Sequence, residues 1–399
     1  MNHYDLIVVG AGISGLSLAH TANRGGFRTL VLERNERAGG CFQSSRLGGD
    51  PGFWLELGAH TCYNSYGNLL AIMEECGIIG SIISRRKVGY RVLVDNEVKS
   101  IPSQLNFVEL LGSVPRLFRT KKAGLSVETY YSQIVGKGNY AKVFGPAFNA
   151  VVCQRAADFP SDMLFKKRPR RKDVVKSFTL TGGIETIIEG IVSQPGMTLM
   201  KGKEAQALAV SGDLFRVTTR DGAAYESRSL AIALPPPAAA KLLETPFPRL
   251  AQTLAKVRLE SVETVGVVLR KELLSLTPLA GLIAVDDAFY SAVSRDTVDH
   301  ERYRGFAFHF KSGRLDDEGK LKRICEVLRV GRDQLEQVVA KQNVVPSPRV
   351  GHEGVVKEID RLLAGKRLLL SGNYFAGLAI EDCVSRSLSE ISRLRSLTA

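Results

Sequence analysis

Short apolar runs alternate with amphipathic stretches along most of the chain. Tyr4 to Val9 is a nearly continuous β-branched run ending at Gly10, the pattern of a buried parallel strand. Ile13 to Asn23 then puts Ile13, Leu16 and Ala19 on one helical face, and Gly25-Gly26 ends that helix. Phe27 to Leu32 reads as a second strand, closed by Glu33, and the three pieces make a βαβ unit. Beyond it the pattern predicts a helix near 66–80 and a hairpin over 88–101, turning at Asp95-Asn96. Residues 104–165 read as mostly helical, and 197–234 as strands with a turn at Asp221-Gly222. Leu230 to Leu234 is another buried strand, stopped by three prolines. Further strand candidates fill 262–310, and Arg367 to Gly372 reads as a late core strand before a closing helix over 381–396.

Composition narrows the class. The 399 residues, 44% of them hydrophobic, suffice for a large core or for two domains sharing one. A charged fraction of 24% argues against a disordered chain, and no apolar stretch reaches the length of a membrane span. Lys and Arg number 54 against 41 Asp and Glu, a net charge of +13 that suits an anionic partner. The six cysteines form no CxxC pair, so neither a metal site nor a dithiol motif is indicated. With no apolar leader before the first strand, the chain reads as cytoplasmic with reduced thiols.

Chemistry enters at Gly10-Ala11-Gly12-Ile13-Ser14-Gly15, a GxGxxG run that follows a strand and opens a helix. Glu33 lies 23 residues beyond Gly10, the spacing of an acid that bonds a ribose hydroxyl. Gly10 permits the tight turn, Gly12 lets backbone approach a pyrophosphate, and Gly15 lets helix and strand pack closely. The helix N-terminus, at Ile13 and Ser14, offers free N–H groups to the phosphates. A dinucleotide site follows.

Past the acid, Glu33-Arg34-Asn35-Glu36-Arg37-Ala38-Gly39-Gly40 resembles the FAD-binding signature of the flavin amine oxidase superfamily. That superfamily includes amine oxidases, phytoene desaturase-like enzymes and protoporphyrinogen oxidases. The resemblance implies that Arg37 lies near the FAD phosphates and that Gly39 and Gly40 pack over the cofactor. Leu55 to His60 extends it, implying that Gly58, Ala59 and His60 run beside the isoalloxazine; a purely structural role for His60 competes with an acid–base one. Ala205 falls where the family has an adenine-contacting strand. Leu370 to Cys383 is similar to the closing FAD motif, with Gly372 and Asn373 beside the pyrophosphate and Gly377, Leu378, Ala379 and Ile380 leading a helix toward the flavin. Gly-Asn-Tyr there resembles protoporphyrinogen oxidases more than amine oxidases. No cysteine precedes the closing helix where some amine oxidases attach FAD, which implies non-covalent FAD.

The expected architecture is therefore α/β. A Rossmann-like FAD-binding domain of the glutathione-reductase, two-dinucleotide-binding type is assembled from 1–80, 171–236 and 351–399. An interleaved α+β substrate domain spans 81–170 and 237–350. The resemblance implies an FAD-dependent oxidoreductase, protoporphyrinogen oxidase-like, moving hydride from a C–H bond of an apolar, carboxylated small molecule to flavin N5. An amine oxidase or a polyene desaturase or isomerase of the same fold is the alternative, and a flavin-binding protein without turnover the second. The electron acceptor stays open between oxygen and a quinone, and the oligomeric state stays open too.

Catalytic side chains are less defined. Lys271 falls about where amine oxidases place a lysine that holds a water at N5, against the plain reading of an exposed lysine. Arg85, Arg86, Lys87 and Arg91 sit near the expected mouth, against the reading of a solvated basic surface. The basic run Lys166 to Lys172 reads first as a solvated loop, then as a peripheral contact with an anionic membrane. Nucleic acid ranks last, because no aromatics interleave the charges.

Overall fold

A computed structural model describes residues 4–398; residues 1–3 and 399, at the ends of the expected cofactor domain, lie outside it. The strand Tyr4–Val9 runs parallel between Thr29–Leu32 and Ala224–Ile232. Met197–Met200 adds a parallel strand outside Thr29–Leu32, and Leu368–Leu370 pairs in parallel with the end of Ala224–Ile232. An antiparallel hairpin, Ala205–Ser211 and Leu214–Thr219, completes this seven-stranded sheet. Its parallel strands are apolar on both sides because both faces are covered. Helices Ile13–Arg24, Gly67–Glu75, Glu185–Val192 and Ile380–Thr398 close one face, around Leu6, Val8, Val31 and Leu369.

Helices Pro236–Leu243, Pro248–Leu254 and His352–Leu363 close the other, around Ile7, Leu30, Leu230 and Leu370. Residues 237–254 were expected with the substrate domain. Their apolar stripe of Ala239, Leu242, Leu243, Leu250 and Leu254 packs on the nucleotide sheet instead.

The second sheet also has seven strands, in the order Leu335–Pro346, Leu259–Arg270, Tyr303–Lys311, Phe289–Ser294, Gly281–Ala284, Tyr90–Val94, Glu97–Ser100. It is antiparallel except where Gly281–Ala284 runs parallel to Tyr90–Val94. The intervening helices, from Phe107 to Val152, form a small cluster of their own around Val127, Tyr140 and Phe148. Two devices join the halves. The hairpin Ser44–Leu47 and Asp50–Glu56 leaves the nucleotide half and packs Phe53, Leu55 and Leu57 against Val268 and Ala307. A three-stranded sheet pairs Ser177–Leu180 with both Cys62–Tyr63 and Ile82–Ser84.

Candidate dinucleotide site

The site begins where the first strand stops. Gly10 sits at φ +103°, a turn closed to most side chains, and a Cβ there would lie 2.6 Å from Ala233 O. A Cβ on Gly15 would lie 1.9 Å from Gly10 O, so only glycine lets the helix start this close to the strand. Gly12 is different. Nothing lies within 4 Å of where its Cβ would be. It is the N-cap of Ile13–Arg24, and no side chain caps that helix. The first-turn amides, including those of Ile13 and Ser14, are therefore left without a side-chain cap beside the open space at Gly12, an arrangement suited to phosphates.

Glu33 is buried at the end of the second strand. Its Oε2 accepts the Ala11 amide at 2.9 Å, and its Oε1 accepts the amide and side-chain NH2 of Asn35 at 2.9 and 2.8 Å. A carboxylate has about four acceptor positions, so one remains for a ribose hydroxyl. Lys203 N donates to Glu33 O at 2.8 Å, which sets Ala205, two residues on, beside this end of the site. Arg34 is exposed.

The second glycine pair crosses the first. Gly39 forms a parallel bridge with Gly12, and its amide donates to Ala11 O at 2.7 Å. Arg37, expected near phosphates, braces this loop: its Nη1 donates to Ala38 O at 2.8 Å and Phe42 O at 2.5 Å, its Nη2 to Gly40 O at 2.8 Å. Glu185 anchors the same guanidinium at 2.9 Å. Gly58 presses against Cys41, whose carbonyl would lie 2.1 Å from a Cβ and accepts the Ala59 amide at 3.1 Å.

The C-terminal segment reaches the cradle through two hydroxyls and a backbone carbonyl. Ser387 Oγ lies 2.7 Å from both Ser14 O and Ser371 Oγ, so the closing helix, the last strand and the first helix meet at one buried point. This places Gly372 beside the glycine-rich turn, with the Tyr374 ring stacked over it; Asn373 is half-buried. Gly377, Leu378 and Ala379 then lead into the helix that starts at Ile380. Glu381 turns away and accepts the amides of Asn68 and Leu69 at 2.9 and 3.2 Å. Asp382 holds Lys166 at 3.1 Å and Arg168 at 2.6 Å.

Next to Gly58 the second sheet contributes side chains that the sequence reading did not single out. Asn343 Nδ2 donates to Leu57 O at 3.1 Å and to Thr264 Oγ1 at 3.2 Å, and Thr264 Oγ1 lies 3.1 Å from His309 Nδ1. Lys341 Nζ donates to Gly40 O at 3.0 Å. The available signal was a buried Thr and a buried His interrupting apolar strands. Lys271 is not part of this group. It lies just past the end of its strand, exposed, with Nζ 3.2 Å from Asp299 and its amide on Arg302 O.

His60 and Arg85 line a small cavity of about 30 Å³ together with Glu56, Thr179 and Arg295. Arg85 donates to Thr61 Oγ1 at 2.6 Å, which leaves the Thr61 hydroxyl proton for His60 Nδ1 at 2.8 Å. The His60 proton then sits on Nε2. Burial, with Arg85 and His309 nearby, pushes the His60 pKa down to about 3, so the ring is neutral. Burial pushes Glu56 up to about 7 against its bonds from Ile184 N and Ser44. Arg295 stacks on Trp54 at 3.9 Å and donates to Trp54 O at 3.0 Å; burial lowers it to about 10. Thr179 Oγ1 is buried there without a partner.

A glycine-lined phosphate cradle, an acid for ribose and a second glycine pair laid across the first define a dinucleotide-binding flavoprotein fold. Comparison with known proteins agrees. Residues 8–76 match the NAD(P)-binding Rossmann-like domain. A flavin-containing monoamine oxidase A of Dictyostelium discoideum is 23% identical over 279 residues, 61% of this chain and 60% of its own length. Pseudooxynicotine dehydrogenase of a Pseudomonas species is 25% identical over 254 residues, 55% of this chain and 49% of its own. The match thus spans about half to three fifths of these relatives. A structure from Exiguobacterium sp. 255-15, assigned as a protoporphyrinogen oxidase, shares the fold with a TM-score of 0.77 at 17% identity over 97% of both chains. The matched segment is a Rossmann-like dinucleotide-binding domain, and over nearly its whole length the chain shares the fold of an FAD-dependent oxidoreductase class.

Proposed function

We propose that the chain is an FAD-dependent oxidoreductase that oxidises a C–H bond of an apolar, carboxylated small molecule, as the likeness to protoporphyrinogen oxidases implies. When bound, the isoalloxazine supplies the hydride acceptor. The Ile13 helix start and the Gly39–Gly40 loop would hold the pyrophosphate, Glu33 the ribose, and the Gly58 and Gly377 segments the ring.

The observation carrying the substrate class is the charge beside Gly58 and His60. Arg85 and Arg295 line that cavity, and its one lining carboxyl, Glu56, is held near half protonation at neutral pH by burial. A cationic amine meets net repulsion there. A carboxylate meets two guanidinium groups and the unpartnered Thr179 hydroxyl. His60, neutral and with its Nε2 proton as a donor, orients a polar substrate atom rather than repelling it. Asn343, Thr264 and His309 form an uncharged, mutually hydrogen-bonded group against the Gly58 segment.

Anaerobic titration of the FAD-loaded protein tests this reading. A porphyrinogen or another apolar carboxylic acid should bleach the oxidised flavin absorbance, whereas putrescine and a neutral polyene should not. Bleaching by the amine alone would overturn the substrate class. A protein that retains no FAD after reconstitution would overturn the whole reading.

A further inference from the structure

We propose that the helix Phe107–Leu117 docks this protein on an anionic lipid bilayer. The helix is turned inside out relative to a water-facing one. Its polar side points inward: Ser113 is 4% exposed and its Oγ donates to Glu109 O at 2.9 Å. The Glu109 carboxylate accepts the amides of Gly138 and Asn139 at 2.7 and 2.9 Å. Asn106 caps the helix through Glu109 N and exchanges two further bonds with Asn139. These bonds fix which face looks out.

The face that looks out is apolar. Val108 is 82% exposed, Leu111 70% and Phe118 83%, with Phe107, Val114 and Leu117 also exposed. Phe107, Leu111, Val114 and Phe118 recur at helical spacing on one stripe, about 16 Å long for eleven residues. A contiguous stripe of this kind on a soluble surface marks an interaction site. No helix among the described residues is long and apolar enough to cross a membrane, so the contact is one of lying on a surface.

Charge selects the occupant. Arg116, Arg119 and Lys121 are exposed around the C-terminal end of the stripe, and none forms an ion pair among the described residues. Lys122 is turned inward, donating to Leu164 O at 3.0 Å. Glu109 is the one acid between Gln104 and Gly124, and the Gly138 and Asn139 amides hold it inward. A second copy of the chain, packed face to face on the same stripe, would bring the three cations against their own equivalents. An anionic headgroup layer meets them with opposite charge while the apolar stripe enters the acyl boundary. The basic run 166–172 has no apolar stripe of its own, and three of its six cations are spent, Lys166 and Arg168 on Asp382 and Arg171 on Glu74 and Asp173. The docking argument is independent of which substrate the flavin site takes.

Co-sedimentation of the FAD-loaded full chain with phosphatidylcholine–phosphatidylserine vesicles tests the proposal, with pure phosphatidylcholine vesicles as the comparison. Binding to the anionic vesicles is expected, and it should weaken as salt rises. Each of Arg116→Gln, Arg119→Gln and Lys121→Gln should reduce partition about five-fold. Leu111→Glu with Phe118→Glu should abolish binding while FAD content is unchanged. Because Trp54 is the only tryptophan and is buried, Phe118→Trp gives a second readout in a minimally altered protein: its emission should shift to the blue when anionic vesicles are added. Unchanged emission, or no sedimentation of the wild type, overturns the proposal. So does a wild-type dimer that Leu111→Glu dissociates while no vesicle is bound.

Discussion

Arg168 Nη2 donates to Asp382 Oδ1 at 2.6 Å, and Lys166 Nζ reaches the same oxygen at 3.1 Å. Lys166 also donates to Ala376 O. Two cations of the basic run therefore pin the loop that carries Gly377 into the closing helix. Asp382 is buried, so removing it strands Lys166 and Arg168 in a partly enclosed place. Asp382→Ala should cost about 3 kcal/mol of stability. It should also loosen the Gly377 segment, so that FAD is lost during gel filtration. A variant that keeps both its melting temperature and its flavin would show that the pair does not position the loop.

Gly12 and Gly15 should separate binding from folding. Gly15→Ala forces a Cβ to 1.9 Å from Gly10 O and should lower the melting temperature with or without FAD. Gly12→Val meets open space in the protein alone. Its apo form should melt near the wild-type temperature, while flavin retention falls because the added methyls occupy the pyrophosphate's approach. Equal FAD occupancy in Gly12→Val and wild type, read from the absorbance ratio of flavin to protein, would remove the phosphate assignment.

Glu56 gives the pH curve a component of known sign. Its native pKa, about 7, stands above its ordinary 4.5 because of burial. Between those values the native state holds a proton that the unfolded state has released. The contribution is full below pH 4.5 and is lost as pH rises through 7, an effect on the order of 3 kcal/mol. Glu56→Gln keeps an acceptor for Ile184 N and removes the titration. The variant's stability relative to wild type should improve from pH 5 to pH 8 by about that amount, as measured by urea unfolding. A pH-independent difference would contradict the assignment.

The nucleotide half was legible because its chemistry is local. A glycine turn, an acid 23 residues on and a Gly-Gly pair a few residues later all fall within or just after a single βαβ unit, so a short stretch of sequence carries the whole pattern. The substrate half was not, because its wall is assembled across strands. Thr264, His309 and Asn343 lie on three adjacent strands, far apart in sequence, and only the antiparallel register sets Thr264 opposite both Lys341 and His309. Lys271 misled for the same reason: sequence position suggested the flavin, but the strand ends at Arg270 and carries it past the site. The basic run shows the same limit. Sequence sees its charge but not Asp382, more than two hundred residues later, which pairs with two of its six cations.

His309 supplies the opposite pH limb. Burial lowers its pKa from 6.5 to about 4, so below pH 6.5 the unfolded state binds a proton that the native state refuses. Its contribution to stability is present above pH 6.5 and is lost as pH falls through 4, again on the order of 3 kcal/mol. In the wild type this acid-side loss runs against the gain from Glu56 over nearly the same range, so the net curve is flatter than either component. Single variants expose the two limbs. His309→Gln keeps a hydrogen-bonding group facing Thr264 Oγ1 without a titrating ring. It should cost stability at pH 7.5 through imperfect packing and then lose less than the wild type on acidification to pH 4.5. Urea midpoints at the two pH values measure this directly. If wild type and variant fall in parallel, His309 is not the group that resists protonation, and the uncharged wall beside Gly58 must owe its acid sensitivity to another side chain.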